Sequence, residues 1–162
     1  MNSTTQIRPI SLRQRVIAAL EQAEAADTTS AEAQTLRLVK CAMIDRDVMA
    51  RGRGDCHGCY DDELIDLLKT MVSQREVSAT EYDDAGRIAD AERERQEIEI
   101  LAAFLPQPLQ GDALKKAVET VVTDLEASKL KDVGRCMSTL RERFPGQIEC
   151  GSAGKAVRDA LS

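Results

Sequence analysis

Residues 61–106, DDELIDLLKTMVSQREVSATEYDDAGRIADAERERQEIEILAAFLP, decide the fold. Leu64, Leu68, Met71, Arg75, Ser78 and Tyr82 recur at three-and-four spacing, with Ile65 and Val72 beside them, which is the period of a helix with one inward face. Tyr60-Asp61-Asp62-Glu63 opens that helix, its acids suited to the positive end of the helix dipole. Ala85-Gly86-Arg87 breaks the pattern. A second helix then runs from about Ile88 to Ala103, its inner face Ala91, Ile98, Leu101, Ala102 and Leu105. So short a connection makes antiparallel neighbours. The spacing therefore predicts a long helical hairpin with Leu68, Met71, Leu101 and Leu105 buried together. Folding it about Ala85-Gly86 sets residue 75 opposite 96–97 and residue 78 opposite 93–94. Arg75 and Ser78 lie on the apolar stripe, so a polar clamp of Gln74, Arg75, Ser78, Glu94 and Glu97 is expected between the two helices. We read it as structural, with Arg75 meeting Glu97 and Ser78 meeting Glu94, in preference to a catalytic site.

Upstream, Ile10 to Ala26 reads as a first helix with Leu12, Val16, Ala19 and Leu20 on one face. Thr29-Ser30-Ala31-Glu32 has the form of a capping box, Thr29 capping and Glu32 reciprocating. A second helix follows to about Ala50, with the stripe Leu36, Val39, Ala42, Met43 and Ala50, and Arg51 to Cys59 is a glycine-rich loop. Downstream, Pro106-Gln107-Pro108 is a stiff joint. We place a boundary there, with one helical domain over 1–106 and a smaller three-helix domain over 107–162. Leu114, Ala117, Val118, Val121, Val122 and Leu125 mark a fifth helix. Asp132 to Phe144 forms a sixth, with Val133, Met137, Leu140 and Phe144 inward. Ala153, Ala156, Val157, Ala160 and Leu161 mark a short last one. The fold class is all-α: an N-terminal four-helix region with the long antiparallel hairpin, then the small three-helix domain.

Composition agrees. In 162 residues there is no Trp and aromatics are 2%, which disfavours a β-sandwich and also a sheet or groove that stacks nucleotide bases. The formal net charge of −6 is unevenly spread. Residues 61–104 carry five Lys/Arg against thirteen Asp/Glu, whereas residues 129–162 carry seven against four. The acidic middle repels phosphate backbones, so only the C-terminal stretch is suited to nucleic acid. No signal peptide and no membrane span is read, and an odd count of five cysteines fits a reducing cytoplasm.

Local motifs carry little chemistry. Cys56-His57-Gly58-Cys59 is a C-x-x-C, but zinc wants four ligands and Cys41, Cys136 and Cys150 are scattered singles. No metal site and no cofactor is expected, Cys56 and Cys59 being the one pair spaced for a metal. Any Ser-His or Cys-His chemistry would have to use His57, the single histidine, whose glycine-rich loop suits a bystander. Gly151-Ser152-Ala153-Gly154-Lys155 lacks the first glycine and the Ser/Thr of a phosphate loop.

Several segments in order resemble the GatB/YqeY family. They are Leu36-Arg37-Leu38-Val39 with Arg46-Asp47 and Arg51-Gly52; Met71 to Ser78; Ala85-Gly86-Arg87; Glu94 to Leu101 followed by Phe104-Leu105-Pro106; and Lys131-Asp132-Val133-Gly134-Arg135-Cys136-Met137. The resemblance covers residues 10–161. It implies a C-terminal domain similar to the tail of the B subunit of the tRNA-dependent amidotransferase, a tail that helps hold tRNA during amidation. The amidotransferase's catalytic cradle has no counterpart here. Carbon–nitrogen ligase activity with glutamine as amido-N-donor therefore rests on family analogy, and no self-contained active site is read. Gln110 departs from the pattern, standing where a capping Ser or Thr is usual.

Three functions follow as expectations. The first is a non-catalytic tRNA- or RNA-associated accessory module, contacting RNA through Lys129, Lys131, Arg135, Arg141, Arg143, Lys155 and Arg158. The second is an accessory in glutamine-dependent tRNA transamidation. The third is a protein–protein adaptor acting through the acidic helices. The partners implied are tRNA and a tRNA-modifying or synthetase protein, with no membrane. The seven cations discriminate, since RNA binding wants them on one face.

Overall fold

The computed structural model describes residues 11–162. Among them lie seven α-helices, one short 3₁₀ turn and no strand, so the all-α expectation holds. The helices are α1 (Leu12–Ala26), α2 (Ala31–Gly52), α3 (Asp61–Asp84), α4 (Ile88–Ala102), α5 (Gly111–Asp124), α6 (Val133–Arg143) and α7 (Cys150–Ala160). Contacts divide the chain into two compact units, one ending at Leu105 and the other Pro106–Ser162.

The first unit holds α1–α4 around one core. Leu12, Val16 and Leu20 of α1 meet Leu36, Val39 and Met43 of α2, Leu64, Leu68 and Met71 of α3, and Leu101 of α4, with Leu105 partly buried against them. Helices α3 and α4 fold back on each other through a three-residue turn in which Gly86 takes a φ of 71°, a left-handed conformation that glycine adopts without a Cβ penalty. The second unit packs α5, α6 and α7 mutually around Leu114, Val118, Val121, Cys136, Leu140, Ala153 and Val157.

Several details differ from the sequence reading. Helix α1 begins at Leu12 with Ser11 as its cap, and Ile10 lies outside the described residues. The cap of α2 is Ser30, whose Oγ accepts from the Ala33 N–H at 3.1 Å, so the Thr29/Glu32 box does not form. Thr29 is drawn away because its N–H and hydroxyl both donate to Asp27 Oδ1, at 2.8 and 2.7 Å. Ala102, expected on the inner face, is exposed at the last residue of α4. The sixth helix is preceded by a 3₁₀ turn at Leu130–Asp132 and starts at Val133. Cys136 is fully buried, a small apolar core residue rather than a stray thiol.

One core position is mismatched. Thr35 is 1% exposed and its hydroxyl has no hydrogen-bond partner among the described residues. A buried unpaired hydroxyl costs about 1–3 kcal/mol. Thr35→Val keeps the shape and removes that cost, so urea unfolding is expected to show about 1–2 kcal/mol of added stability.

Candidate functional site

The densest polar cluster in the first unit was not legible in the sequence. Arg13, one residue into α1, grips Asp47 of α2 with both guanidinium nitrogens, Nη1 to Oδ2 at 2.9 Å and Nη2 to Oδ1 at 2.7 Å. The same Oδ1 accepts from the Cys59 N–H at 3.0 Å and from Cys59 Sγ at 3.2 Å. Arg13 Nη2 also reaches the Cys59 carbonyl at 3.2 Å. Next to it, the Leu12 N–H donates to Asp61 Oδ2 at 3.0 Å, joining the start of α1 to the start of α3. Gly58 is required here: its φ is +84°, and a Cβ would lie 2.5 Å from Asp47 Oδ1.

The electrostatics follow from these contacts. The hydrogen bond from Arg13 holds the Asp47 carboxyl at about 2, well below the ordinary carboxylate value. Burial first, and then the Asp47 carboxylate, push the Cys59 thiol up. A thiol so placed is a poor nucleophile and a poor metal ligand. Cys56 is exposed, with its Sγ 3.8 Å from the Gly54 carbonyl, and His57 is exposed. No group of three or more metal-type side chains forms among the described residues. The cluster is a structural knot whose Cys59 sulfur is already engaged.

In the hairpin, Arg75 Nε donates to Glu97 Oε2 at 2.7 Å and Arg75 Nη1 to the Met71 carbonyl at 3.3 Å. Further along, Arg95 pairs with Asp83. The rest of the five-residue clamp is not assembled. Gln74 is exposed, and Ser78 and Glu94 make no side-chain hydrogen bond among the described residues. The reason is reach, since packed helices lie roughly 8–10 Å apart and a serine hydroxyl ends one bond beyond Cβ.

In the second unit the seven cations fall into two groups. Arg135, Arg141 and Arg143 are engaged within the fold. Arg135 Nη2 donates to the Leu125 carbonyl at the end of α5, 2.9 Å away; Arg141 Nη2 lies 3.0 Å from Cys150 Sγ; and Arg143 Nη1 donates to Asp124 Oδ2 at 2.6 Å. Lys129, Lys131, Lys155 and Arg158 are exposed, and their side chains make no ion pair among the described residues. The cations do not share one groove. Arg143 borders the α5–α6 groove with Lys116, whereas Lys155 lines the α5–α7 groove with Lys115. In the turn before α6, the Asp132 carboxylate accepts from the N–H groups of Ser128 and Lys129, at 3.3 and 3.2 Å. Burial, which would raise the Asp132 carboxyl, is outweighed by those two N–H groups and by nearby Arg135 and Lys131, so it sits below its ordinary value.

Fold and site together define a class: a small all-helical protein of two units, stabilised by interhelical arginine–carboxylate pairs and carrying exposed lysines near its C-terminus. The model of the Yqey-like protein family matches residues 12–161. The chain belongs to that family, whose domain is like the C-terminal domain of GatB. No curated protein matches it.

Two outcomes test the polar pairs. Because the folded Asp47 carboxyl lies below its unfolded value of roughly 3.9, its stabilisation is full above that value and is lost as pH falls toward 2. The melting temperature of Asp47→Asn should therefore trail the parent above pH 4, with the gap closing as pH approaches 2. Arg75→Ala should cost about 1–3 kcal/mol, between the surface and buried limits for an ion pair. Arg75→Met, which keeps the apolar stem, should recover part of that loss in chemical denaturation.

Proposed function

We propose that this chain is a non-catalytic accessory module that associates with tRNA through its C-terminal unit and works in the cytoplasm beside a tRNA-modifying or synthetase protein. The observation that carries the reading is the set of four uncommitted cations, Lys129, Lys131, Lys155 and Arg158, on the region with the most positive tally. The family, whose domain is GatB C-terminal-like, supports tRNA as the nucleic acid. Free thiols at all five cysteines support a reducing compartment. No helix among the described residues is long and apolar enough to cross a membrane.

Charge arithmetic limits the affinity. Residues 109–162 carry nine Lys/Arg against eight Asp/Glu, so long-range attraction is slight and contact must be local. Three of the seven cations are also held by Leu125, Cys150 and Asp124. Participation in glutamine-dependent transamidation, a carbon–nitrogen ligase reaction, would then need a partner to supply the active site.

Titrating labelled tRNA with the full chain across a range of salt tests this. Salt-sensitive binding is expected, and Lys129→Ala/Lys131→Ala should flatten the log–log slope by about two phosphate contacts, each worth roughly 0.7–0.9. Lys155→Ala/Arg158→Ala should do the same if the tRNA reaches α7. The absence of any salt-dependent binding by the parent chain would overturn the reading.

A further inference from the structure

Helix α2 is buried along Ala33, Leu36, Val39, Met43 and Ala50, yet it is apolar on its other side as well. Leu38, Ile44, Val48 and Met49 are each more than half exposed, and they are half of the large apolar side chains exposed among the described residues. At 3.6 residues per turn these four, with exposed Cys41, span a sector of roughly 140°, pointing away from the core. A contiguous apolar stripe on a surface helix marks an interaction site, whereas single exposed apolar residues do not.

We propose that this face of α2 docks an amphipathic helix of another protein, apolar along one stripe and acidic along one flank. Charge complementarity sets the flank. Beside Ile44 the stripe is bordered by Lys40 and Arg51, exposed and without an ion pair among the described residues, and just inside that edge stands Arg37, which Glu24 holds at 2.7 Å. Inside the opposite edge, between Cys41 and Leu38, stands one acid, Asp45. A helix with carboxylates on one side only therefore fits in one orientation. A second copy of this chain fits poorly. In an antiparallel α2–α2 pair Arg37 faces Arg51 of the other copy, and in a parallel pair each arginine faces itself. An anionic lipid surface fits poorly too, because residues 61–104 of the same unit carry a net −8 and the stripe has no aromatic residue to seat at an interface. The proposal is independent of tRNA binding.

The probe is a fluorescently labelled 18-residue helical peptide with leucine at its a and d positions and glutamate along one flank, titrated with the full chain. Its control carries lysine in place of glutamate. Saturable binding of the acidic peptide is expected, at least tenfold tighter than the control. Ile44→Glu/Val48→Glu should weaken it at least tenfold with an unchanged melting temperature, since both side chains are exposed. Lys40→Glu/Arg51→Glu should invert the preference between the two peptides. Equal binding of both peptides, or binding of neither, overturns the proposal. So does self-association abolished by Ile44→Glu/Val48→Glu, or partition onto phosphatidylserine vesicles that the same variant abolishes. Binding of tRNA by Ile44→Glu/Val48→Glu should match the parent, which keeps this outcome separate from that of the accessory-module reading.

Discussion

The first unit depends on the Asp47 carboxylate. Its two oxygens take hydrogen bonds from a guanidinium on α1 and from the backbone and thiol of Cys59, so one side chain fixes where α1 starts and how the loop after α2 returns to α3. Asp61, the first residue of α3, then receives the Leu12 N–H, tying the start of α1 to the start of α3. The cluster sits at the edge of the apolar core, where Arg13 and Asp47 keep partial contact with water. There the pair gains directional hydrogen bonds without the full desolvation cost of a deeply buried ion pair. The left-handed Gly58 is a consequence, since the loop passes so close to the carboxylate that any Cβ would collide with it.

What was legible in the sequence is what depends on neighbours three and four residues apart. Leu64, Leu68 and Met71 or Leu114, Val118 and Val121 announce a helix and its buried side without reference to the rest of the chain, and the structure buries each of them. The Arg13–Asp47 pair spans 34 residues, and no local period encodes it. Asp47 stands among Asp45, Arg46 and Arg51 on a charged helix, and only the packing of α1 against α2 distinguishes it from a solvated acid. Capping by Ser30 in place of Thr29 has a local cause. Two adjacent hydroxyl residues compete for one cap, and Asp27 decides between them by capturing Thr29.

A charge tally is limited in a related way. A positive count over residues 129–162 says how many cations exist and nothing of which are already spent. Arg143 is committed to Asp124, Arg141 lies against Cys150 Sγ, and Arg135 is committed to the Leu125 carbonyl just after α5. A three-helix bundle also has three outer grooves, and residues close in sequence are distributed among them by the 100° step of the helix. Segment charge is therefore an upper bound on the charge that a phosphate backbone can meet, and the four side chains without internal partners are the better measure.

The same distinction between presence and availability applies to apolar surface. Core formation in the first unit needs one stripe per helix, and α2 already supplies it through Leu36, Val39 and Met43. Leaving Leu38, Ile44, Val48 and Met49 in water gains nothing for the fold, and at roughly 25 cal/mol per Å² of apolar area it forgoes a stabilisation that polar residues would make irrelevant. Neighbouring helices do not share the excess. Helix α4 is charged along most of its outer surface and exposes Ile88 at its first residue, and α3 exposes Val77, each a single apolar side chain on its helix. The apolar excess is thus concentrated on one helix, on the side its own unit leaves uncovered. Folding within that unit gives no reason for it, whereas contact with a partner does.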